Sequence, residues 1–179
     1  MDRLDKESLW QRCQSFHGHV CGGLLTGFLA SLYACDLLNL GVSRDEEIVC
    51  ISENDSCAVD AIQAVLGCTV GKGNLLFHMT GKLAFSFYNR ETGKSVRLIR
   101  TGMIPDPLAI DVIDYCTNNP FTDVFTVKDA VIPLPERARI FDAYICDNCG
   151  EKTGANWIHL QNGKKLCPDC YVKYDRFRI

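Results

Sequence analysis

The cysteines of this chain fall into two arrangements whose spacing favours different chemistry. In the C-terminal arrangement, Cys146 and Cys149 form one Cys-x-x-Cys pair, and Cys167 and Cys170 form a second pair after a gap of seventeen residues. Each pair aims two sulfurs at one point, and the gap is long enough for a hairpin to return the second pair. This spacing predicts one structural zinc site, with rubredoxin-like iron as the alternative metal.

The N-terminal arrangement mixes histidine, cysteine and aspartate. His17, His19 and Cys21 alternate, so in an extended segment their side chains would point to one side. Cys57 begins a predicted helix, where backbone N–H groups and the helix dipole stabilise a thiolate, and Asp60 follows one turn later on the same face. Polar ligand-type residues this close together rarely serve packing, so they predict a second metal site in the core.

Imidazole and thiolate ligands favour zinc for this core site over nickel or iron. We expect His19 and Cys21 to be its firmest ligands and Cys57 to complete it, with His17 as a fourth ligand or as an acid/base group. The same residues also suit a thiol or zinc enzyme in which Cys57, Asp60 and His17 are catalytic. A cluster that only packs the core is the remaining alternative.

The segment after the Cys57 helix carries further candidates. Cys68 follows the end of that helix, and Lys72 stands between two glycines, where its charge would favour an anionic ligand. The phosphate-loop pattern fails here, because the upstream glycine is one residue too close and no Ser or Thr follows the lysine. Lys72, together with Gln63 on the helix, is therefore a candidate for binding a cofactor or small molecule. The remaining core cysteines, Cys35, Cys50 and Cys116, are predicted to be small buried hydrophobes.

Periodicity predicts the elements that position these residues. Helices are expected over 4–16, over 22–38, over 57–66 with Asp55 or Ser56 as cap, and from Asp106-Pro107 to before Pro120. Strands are expected over 47–53, 75–79, 83–88, 95–100, 124–127 and 139–145, with turn signals between those from 75 to 100. Hairpin-linked strands favour an α+β fold with an antiparallel-rich sheet. The predicted division is a core domain over 1–143 and a four-cysteine zinc module over 144–179.

Composition restricts the partners. Hydrophobic residues make up 47% and the net charge is −3, so nothing favours strong attraction to nucleic acid or to a membrane. The charged start lacks the order of a signal peptide, and we expect a cytoplasmic protein with reduced thiols. The helix over 22–38 is apolar on most faces, which predicts a homodimer that covers it; enclosure within one chain is the alternative.

Three segments together resemble the FmdE family, named after the FmdE component of formylmethanofuran dehydrogenase. They are Phe16-His-Gly-His-Val-Cys-Gly-Gly23, Asp55-Ser-Cys-Ala-Val-Asp-Ala-Ile-Gln63 and Gly67-Cys-Thr-Val-Gly-Lys-Gly-Asn74. The stretch from Ala138 to Phe141, leading into Cys146, is similar to members with a C-terminal zinc finger. Gly22 departs from the family's His-x-Cys-Pro-Gly form, which loosens a turn but removes no ligand.

The resemblance implies an α+β core, commonly dimeric, with the His/Cys cluster in a cleft. It implies little about a reaction, because the dehydrogenase chemistry belongs to pterin and iron–sulfur proteins of the complex whose motifs this chain lacks. The favoured interpretation is a metal-binding accessory protein of anaerobic one-carbon or molybdenum/tungsten metabolism, whose cleft holds a metal or metallocofactor. The alternatives are a small zinc- or thiol-dependent enzyme acting on an anionic small molecule, and a zinc-finger regulator that binds nucleic acid or a protein.

Overall fold

A computed structural model describes residues 3–177, which divide into two compact units between Ala138 and Arg139. Residues 1–2 of the predicted core domain and residues 178–179 of the predicted zinc module lie outside the described range. Within that range, no helix is long and apolar enough to cross a membrane.

The first unit is a five-stranded sheet with helices packed on one face. Its helices are α1 (Arg3–His17), α2 (Gly22–Leu38), α3 (Ala58–Leu66) and α4 (Val112–Asn118). Its strands are β1 (Ile48–Ser52), β2 (Leu75–Phe77), β3 (Ala84–Asn89), β4 (Ser95–Arg100) and β5 (Phe125–Lys128), in the order β2-β1-β3-β4-β5. Three of the four strand pairings are antiparallel, which confirms the predicted α+β class with an antiparallel-rich sheet.

The pairing of β2 differs from the predicted run of hairpins. Cys50 of β1 lies opposite Leu75 of β2 in a parallel pair, and β2 has no ladder with β3. The cause is α3, which connects β1 to β2 as a crossover, and a crossover returns the chain in the same direction. The turn signals around Gly81 therefore belong to a loop at the sheet edge rather than to a hairpin.

The fourth helix begins later than predicted. The Asp106 side chain accepts a hydrogen bond from the Leu108 N–H at 3.0 Å, but this closes only a turn. The helix begins at Val112, where the Asp111 carboxylate accepts from the N–H groups of Ile113 and Asp114, each at 2.9 Å. Asp106 and Asp111 both suit the cap position of a helix. Only Asp111 is followed by apolar residues that are buried in the core.

Helix α2 passes through the centre of the first unit. Leu24, Leu25, Phe28 and Leu32 are all buried by their own chain, while Leu37 at its end keeps 41% of its surface exposed. The apolar faces that predicted a homodimer are therefore covered within one chain, as the enclosed-helix alternative expects. The homodimer stays a prediction, without support from this helix, and light scattering tests it against the chain mass of 20.0 kDa.

The second unit contains two short hairpins. They pair β6 (Ala143–Ile145) with β7 (Lys152–Gly154) and β8 (His159–Gln161) with β9 (Lys164–Leu166). Asn162 and Gly163, with φ of 52° and 77°, make the tight turn of the second hairpin, as the Asn-Gly pair predicts. The predicted strand from Arg139 is shorter and begins only at Ala143.

Candidate metal centres

Three elements of the first unit bring His17, Cys21 and Cys57 together. His17 ends α1, Cys21 precedes α2, and Cys57 precedes α3. One ligand atom from each lies within 4.8 Å of the others, a spacing that a single metal ion can span. The three side chains are half-buried, so the cluster has both a dry side and access to solvent.

The segment that carries the histidines is not extended, contrary to the sequence prediction. His17 is the last helical residue, and Gly18 ends the helix with a φ of +86° while its N–H donates to the Gln14 carbonyl at 2.8 Å. His19 is exposed and does not join the cluster; its ring lies beside the His17 ring, tilted by 39° with 4.3 Å between centroids.

Cys21 is the residue whose sulfur faces a helix start. Its backbone is extended, and its Sγ accepts a hydrogen bond from the Leu24 N–H at 3.4 Å as the cap of α2. Burial alone would raise the pKa of the Cys21 thiol, but hydrogen bonds from the Leu24 N–H, Cys57 and His17 outweigh it, and the pKa lies below its ordinary value. Cys21 is therefore the residue of the cluster best suited to be a thiolate ligand.

The prediction that the start of α3 stabilises a Cys57 thiolate is wrong. Cys57 already has helical backbone angles, and its side chain makes no capping hydrogen bond, because helical angles turn the sulfur away from the helix end. Burial and the neighbouring Cys21 raise the pKa of Cys57 instead. Neither Asp55 nor Ser56 caps the helix; the Asn54 side chain accepts from Ser56.

Two glycines of α2 allow Cys57 to come this close. A Cβ on Gly23 would stand 2.9 Å from the Cys57 Cβ, and a Cβ on Gly27 would stand 2.0 Å from the Ala58 carbonyl oxygen. Spaced by four residues, they form one smooth face of α2 on which the start of α3 packs. The sequence analysis did not identify this face, which the four-residue spacing of the two glycines could have revealed.

A carboxylate holds the imidazole of the cluster. The Asp60 Oδ2 lies 2.7 Å from the His17 Nδ1, and the Gln63 side-chain amide donates to the Asp60 Oδ1 at 3.3 Å. The hydrogen bond to Asp60 raises the pKa of His17. This pairing points the His17 Nε2 toward Cys21, 3.8 Å from its Sγ. A carboxylate behind a histidine is the usual way to orient a metal-binding imidazole.

Two of the predicted binding residues are not at the cluster. The Lys72 amino group donates to the Ser43 carbonyl at 3.0 Å and so fastens a loop. Cys68 is fully buried, its Sγ faces the Ile48 carbonyl at 3.6 Å, and burial raises its pKa to about 12. Cys13, which the sequence analysis did not single out, is a buried thiol of the same kind with a pKa of about 12.

The predicted core cysteines are buried as expected. Burial raises the pKa of Cys35 to about 11 and of Cys116 to about 12, and it raises that of Cys50 well above the usual range. Such thiols stay protonated at neutral pH and cannot act as ligands or nucleophiles without opening the core.

The second unit gathers Cys146, Cys149, Cys167 and Cys170. Their sulfurs lie within 4.8 Å of one another, and the Cys149 and Cys167 sulfurs are 3.8 Å apart. The N–H of Gly150 donates to the Cys146 carbonyl at 2.9 Å and closes the first Cys-x-x-Cys turn. The four cysteines form a closed cluster of the kind that binds one metal ion tetrahedrally.

The second Cys-x-x-Cys turn is closed in the same way. The N–H groups of Cys170 and Tyr171 donate to the Cys167 carbonyl at 3.1 and 2.9 Å. The Cys167 N–H donates to the Cys146 sulfur at 3.4 Å, which links the two turns. Such N–H···S bonds stabilise the thiolate form that a metal ion requires.

Fold and sites together define a metal-binding α+β protein with a zinc-finger-like second unit. The family model "FmdE, Molybdenum formylmethanofuran dehydrogenase operon" matches residues 16–111, which is more than half of the chain. The chain therefore belongs to the FmdE family, and all three residues of the core cluster lie within the matched range.

Two further proteins are similar. A "Probable S-adenosyl-L-methionine-binding protein" of Archaeoglobus fulgidus is 34% identical over 197 residues. The match covers 91% of this chain and 52% of that protein, so the chain spans about half of its length. The crystal structure of a tungsten formylmethanofuran dehydrogenase FmdE-like protein from Syntrophus aciditrophicus has the same fold. Its TM-score is 0.65 at 23% identity, over 92% of this chain and 91% of that one.

Proposed function

We propose that the core of this protein binds one zinc ion through His17, Cys21 and Cys57 and presents a fourth position to a small molecule. The observation that carries this proposal is the number of ligands: three side chains converge, and no fourth His, Cys, Asp or Glu of the described residues joins them. Three protein ligands with one open position are typical of zinc sites that bind a substrate. Nickel or iron would fit the same ligands less well.

The donor set fits a borderline-soft ion. One imidazole and two thiols surround the site, and hydrogen bonds from the Leu24 N–H, Cys57 and His17 hold the pKa of the Cys21 thiol below its ordinary value. Zinc held by three protein ligands acts as a Lewis acid on the molecule at its fourth position. The chain's own contribution is orientation: Asp60 fixes the His17 ring, and Gln63 fixes Asp60.

Within this proposal, a metal-binding accessory role in anaerobic one-carbon or molybdenum/tungsten metabolism is supported by the family match. The site geometry supports the second candidate, a small zinc-dependent enzyme, because its open position suits a reacting molecule. Asp60 is already hydrogen-bonded to His17 and Gln63, so it suits an orienting role better than that of a free base. The chemical class of the molecule that binds at the fourth position would therefore distinguish the accessory role from the enzymatic one.

The zinc assignment extends to the second unit, where Cys146, Cys149, Cys167 and Cys170 would hold a structural ion. Elemental analysis of the full chain, purified without chelators under anaerobic conditions, tests both sites. We expect two equivalents of zinc in the unmodified protein and one equivalent in Cys21→Ala and in Cys149→Ser. One equivalent in the unmodified protein, unchanged in Cys21→Ala, would leave the core cluster as a thiol or packing cluster.

A titration with S-adenosyl-L-methionine belongs to the same experiment, because the relative from Archaeoglobus fulgidus is named for binding it. Binding that requires Cys21 would place this ligand at the open position. Binding that survives Cys21→Ala would place it elsewhere and leave the zinc proposal unchanged.

A further inference from the structure

A cavity with polar lining residues lies on the face of the sheet opposite α2. The side chains of Phe85, Phe87 and Leu98 point into the main core with α2, so the alternate residues Ser86 and Arg97 point to the opposite face. There they border an open cavity of about 270 Å³. Its lining combines charged, polar and apolar side chains: Glu53, His78, Thr80, Lys82, Ser86, Arg97, Val131 and Ile132.

An ion pair forms part of the cavity wall. Both side chains are largely buried, with 14% of Arg97 and 7% of Glu53 exposed. The Arg97 Nε and one Nη donate to Glu53 at 2.5 and 2.9 Å, and the Thr80 hydroxyl also donates to this carboxylate at 2.9 Å. Glu53 is thus saturated by its neighbours, whereas the second Arg97 Nη makes no hydrogen bond to another described residue.

Two more donors stand at the cavity edge. His78 and Lys82 are exposed, and within residues 3–177 neither side chain makes a hydrogen bond. Glu53 is the one carboxylate among the described lining residues, and Arg97 already neutralises it. The lysine therefore leaves the cavity with a net positive charge, and protonation of the histidine would add to it.

An apolar wall faces these donors. Val131 keeps 85% of its surface exposed, and Ile132 is half-buried beside it. The Tyr88 hydroxyl donates to the Ile132 carbonyl at 2.6 Å and holds this segment against the sheet. An exposed apolar side chain next to several cationic donors is the composition of a site for an amphipathic anion.

We propose that this cavity binds an oxyanion group, a carboxylate or a phosphate, on a molecule whose apolar part rests against Val131. Arg97 and Lys82 supply charged donors, His78 supplies a third, and Glu53 holds the guanidinium in place. A guanidinium N–H beside an ammonium group is a donor set that recognises oxyanions through charge-assisted hydrogen bonds. The site is separate from the His17, Cys21 and Cys57 cluster.

Amide chemical shifts of the full chain test this site, with butyrate, inorganic phosphate and 1-butanol as probes. We expect one of the two anions to move the signals of Thr80, Lys82 and Ser86 with a millimolar dissociation constant. Butyrate binding that weakens in Val131→Ser would identify a carboxylate with an apolar substituent. Phosphate binding that is indifferent to Val131→Ser would identify phosphate as the source.

The matched variants are Lys82→Gln and Lys94→Gln, because both lysines are exposed and Lys94 lies outside this cavity. Loss of one charge-assisted hydrogen bond should weaken binding about tenfold in Lys82→Gln and leave Lys94→Gln unchanged. The proposal would be overturned if both variants bound the anion equally, or if butanol bound as tightly as butyrate. It would also be overturned if neither anion shifted the signals. Cys57→Ser should bind the anion normally, which separates this test from that of the zinc site.

Discussion

The two cysteine clusters differ in what surrounds them. In the described part of the second unit, the buried cluster consists of Cys146, Leu166 and Cys167, and its two cysteines belong to the four-cysteine cluster. The core cluster instead lies at the edge of a large hydrophobic core that includes most of α2 and α3. We therefore expect the first arrangement to need a metal in order to fold, and the second to have a fold that brings its three side chains together without one. A closed site and an open site therefore predict opposite responses to the same kind of mutation.

The largest effect should follow loss of a ligand in the second unit. Cys149→Ser should release one zinc and unfold residues 144–174, because structural zinc contributes about 10–16 kcal/mol in finger peptides and little core remains without it. Cys57→Ser should also cost one zinc but leave both units folded. Elemental analysis and amide chemical-shift dispersion check both outcomes. A folded second unit in zinc-free Cys149→Ser would remove the contrast between the clusters.

The next effect concerns the smooth face of α2. Gly27→Ala puts a methyl group 2.0 Å from the backbone oxygen of Ala58, and we expect it to destabilise the core by about 3 kcal/mol or more. Gly23→Ala meets a Cys57 side-chain atom at 2.9 Å, so it should shift Cys57 and weaken core zinc binding about tenfold at a smaller cost in stability. Chemical denaturation and competition with a chromogenic chelator measure the two quantities. Gly71→Ala, where a Cβ meets open space, is the control.

A smaller effect than that of Gly27→Ala should come from the residue behind His17. Asp60→Asn keeps the shape but weakens the hold on the imidazole, and removal of such partners costs about 10–100-fold in metal affinity. The zinc content of the second unit should not change. Chelator competition on the core site checks this, with Asp55→Asn, an exposed neighbour, as the control. Unchanged affinity in Asp60→Asn would mean that Asp60 does not orient a metal-binding imidazole.

The smallest effect is a pH dependence of the core alone. The ion pair with Arg97 holds the pKa of Glu53 below its usual value of 4.5. Because the folded pKa is the lower one, this stabilisation is fully present above about pH 4.5 and is lost as the pH falls through the folded pKa. Urea unfolding of the core between about pH 6 and pH 3 should show the loss, and Glu53→Gln should flatten the curve. An equally steep curve in that variant would assign the acid sensitivity to other groups.

The closed cluster could be predicted from the sequence because its ligands are near neighbours. Two Cys-x-x-Cys turns and an Asn-Gly hairpin contain nearly all of the geometry that the second unit needs. The helix from Gly22 to Leu38 was equally readable, since a run of apolar residues between glycine and asparagine has few other folds. The FmdE motifs identified the family for the same reason: they are local patterns.

The open cluster could be predicted only as a set of residue types. The sequence placed His17 in an extended segment, because nothing local shows that α1 continues to this residue before Gly18 turns the chain. Cys21 caps its helix through its sulfur, whereas Cys57 does not. This difference depends on the backbone angles at the two helix starts, which look alike in the sequence. Lys72 was assigned to a ligand because its partner, the Ser43 carbonyl, is twenty-nine positions away.

The packing of Trp10 has a consequence for how fast a core metal could exchange. An isolated helix of 15 residues is marginally stable in water, so α1 depends on its docking, and the Trp10 ring fastens it to Phe28 at 5.0 Å between centroids. His17 belongs to the same helix, and undocking of α1 would withdraw the only imidazole of the three-residue cluster. The rate of zinc release should therefore follow the local opening of α1 rather than global unfolding. In a Trp157→Phe background, the fluorescence of Trp10 would report that opening directly.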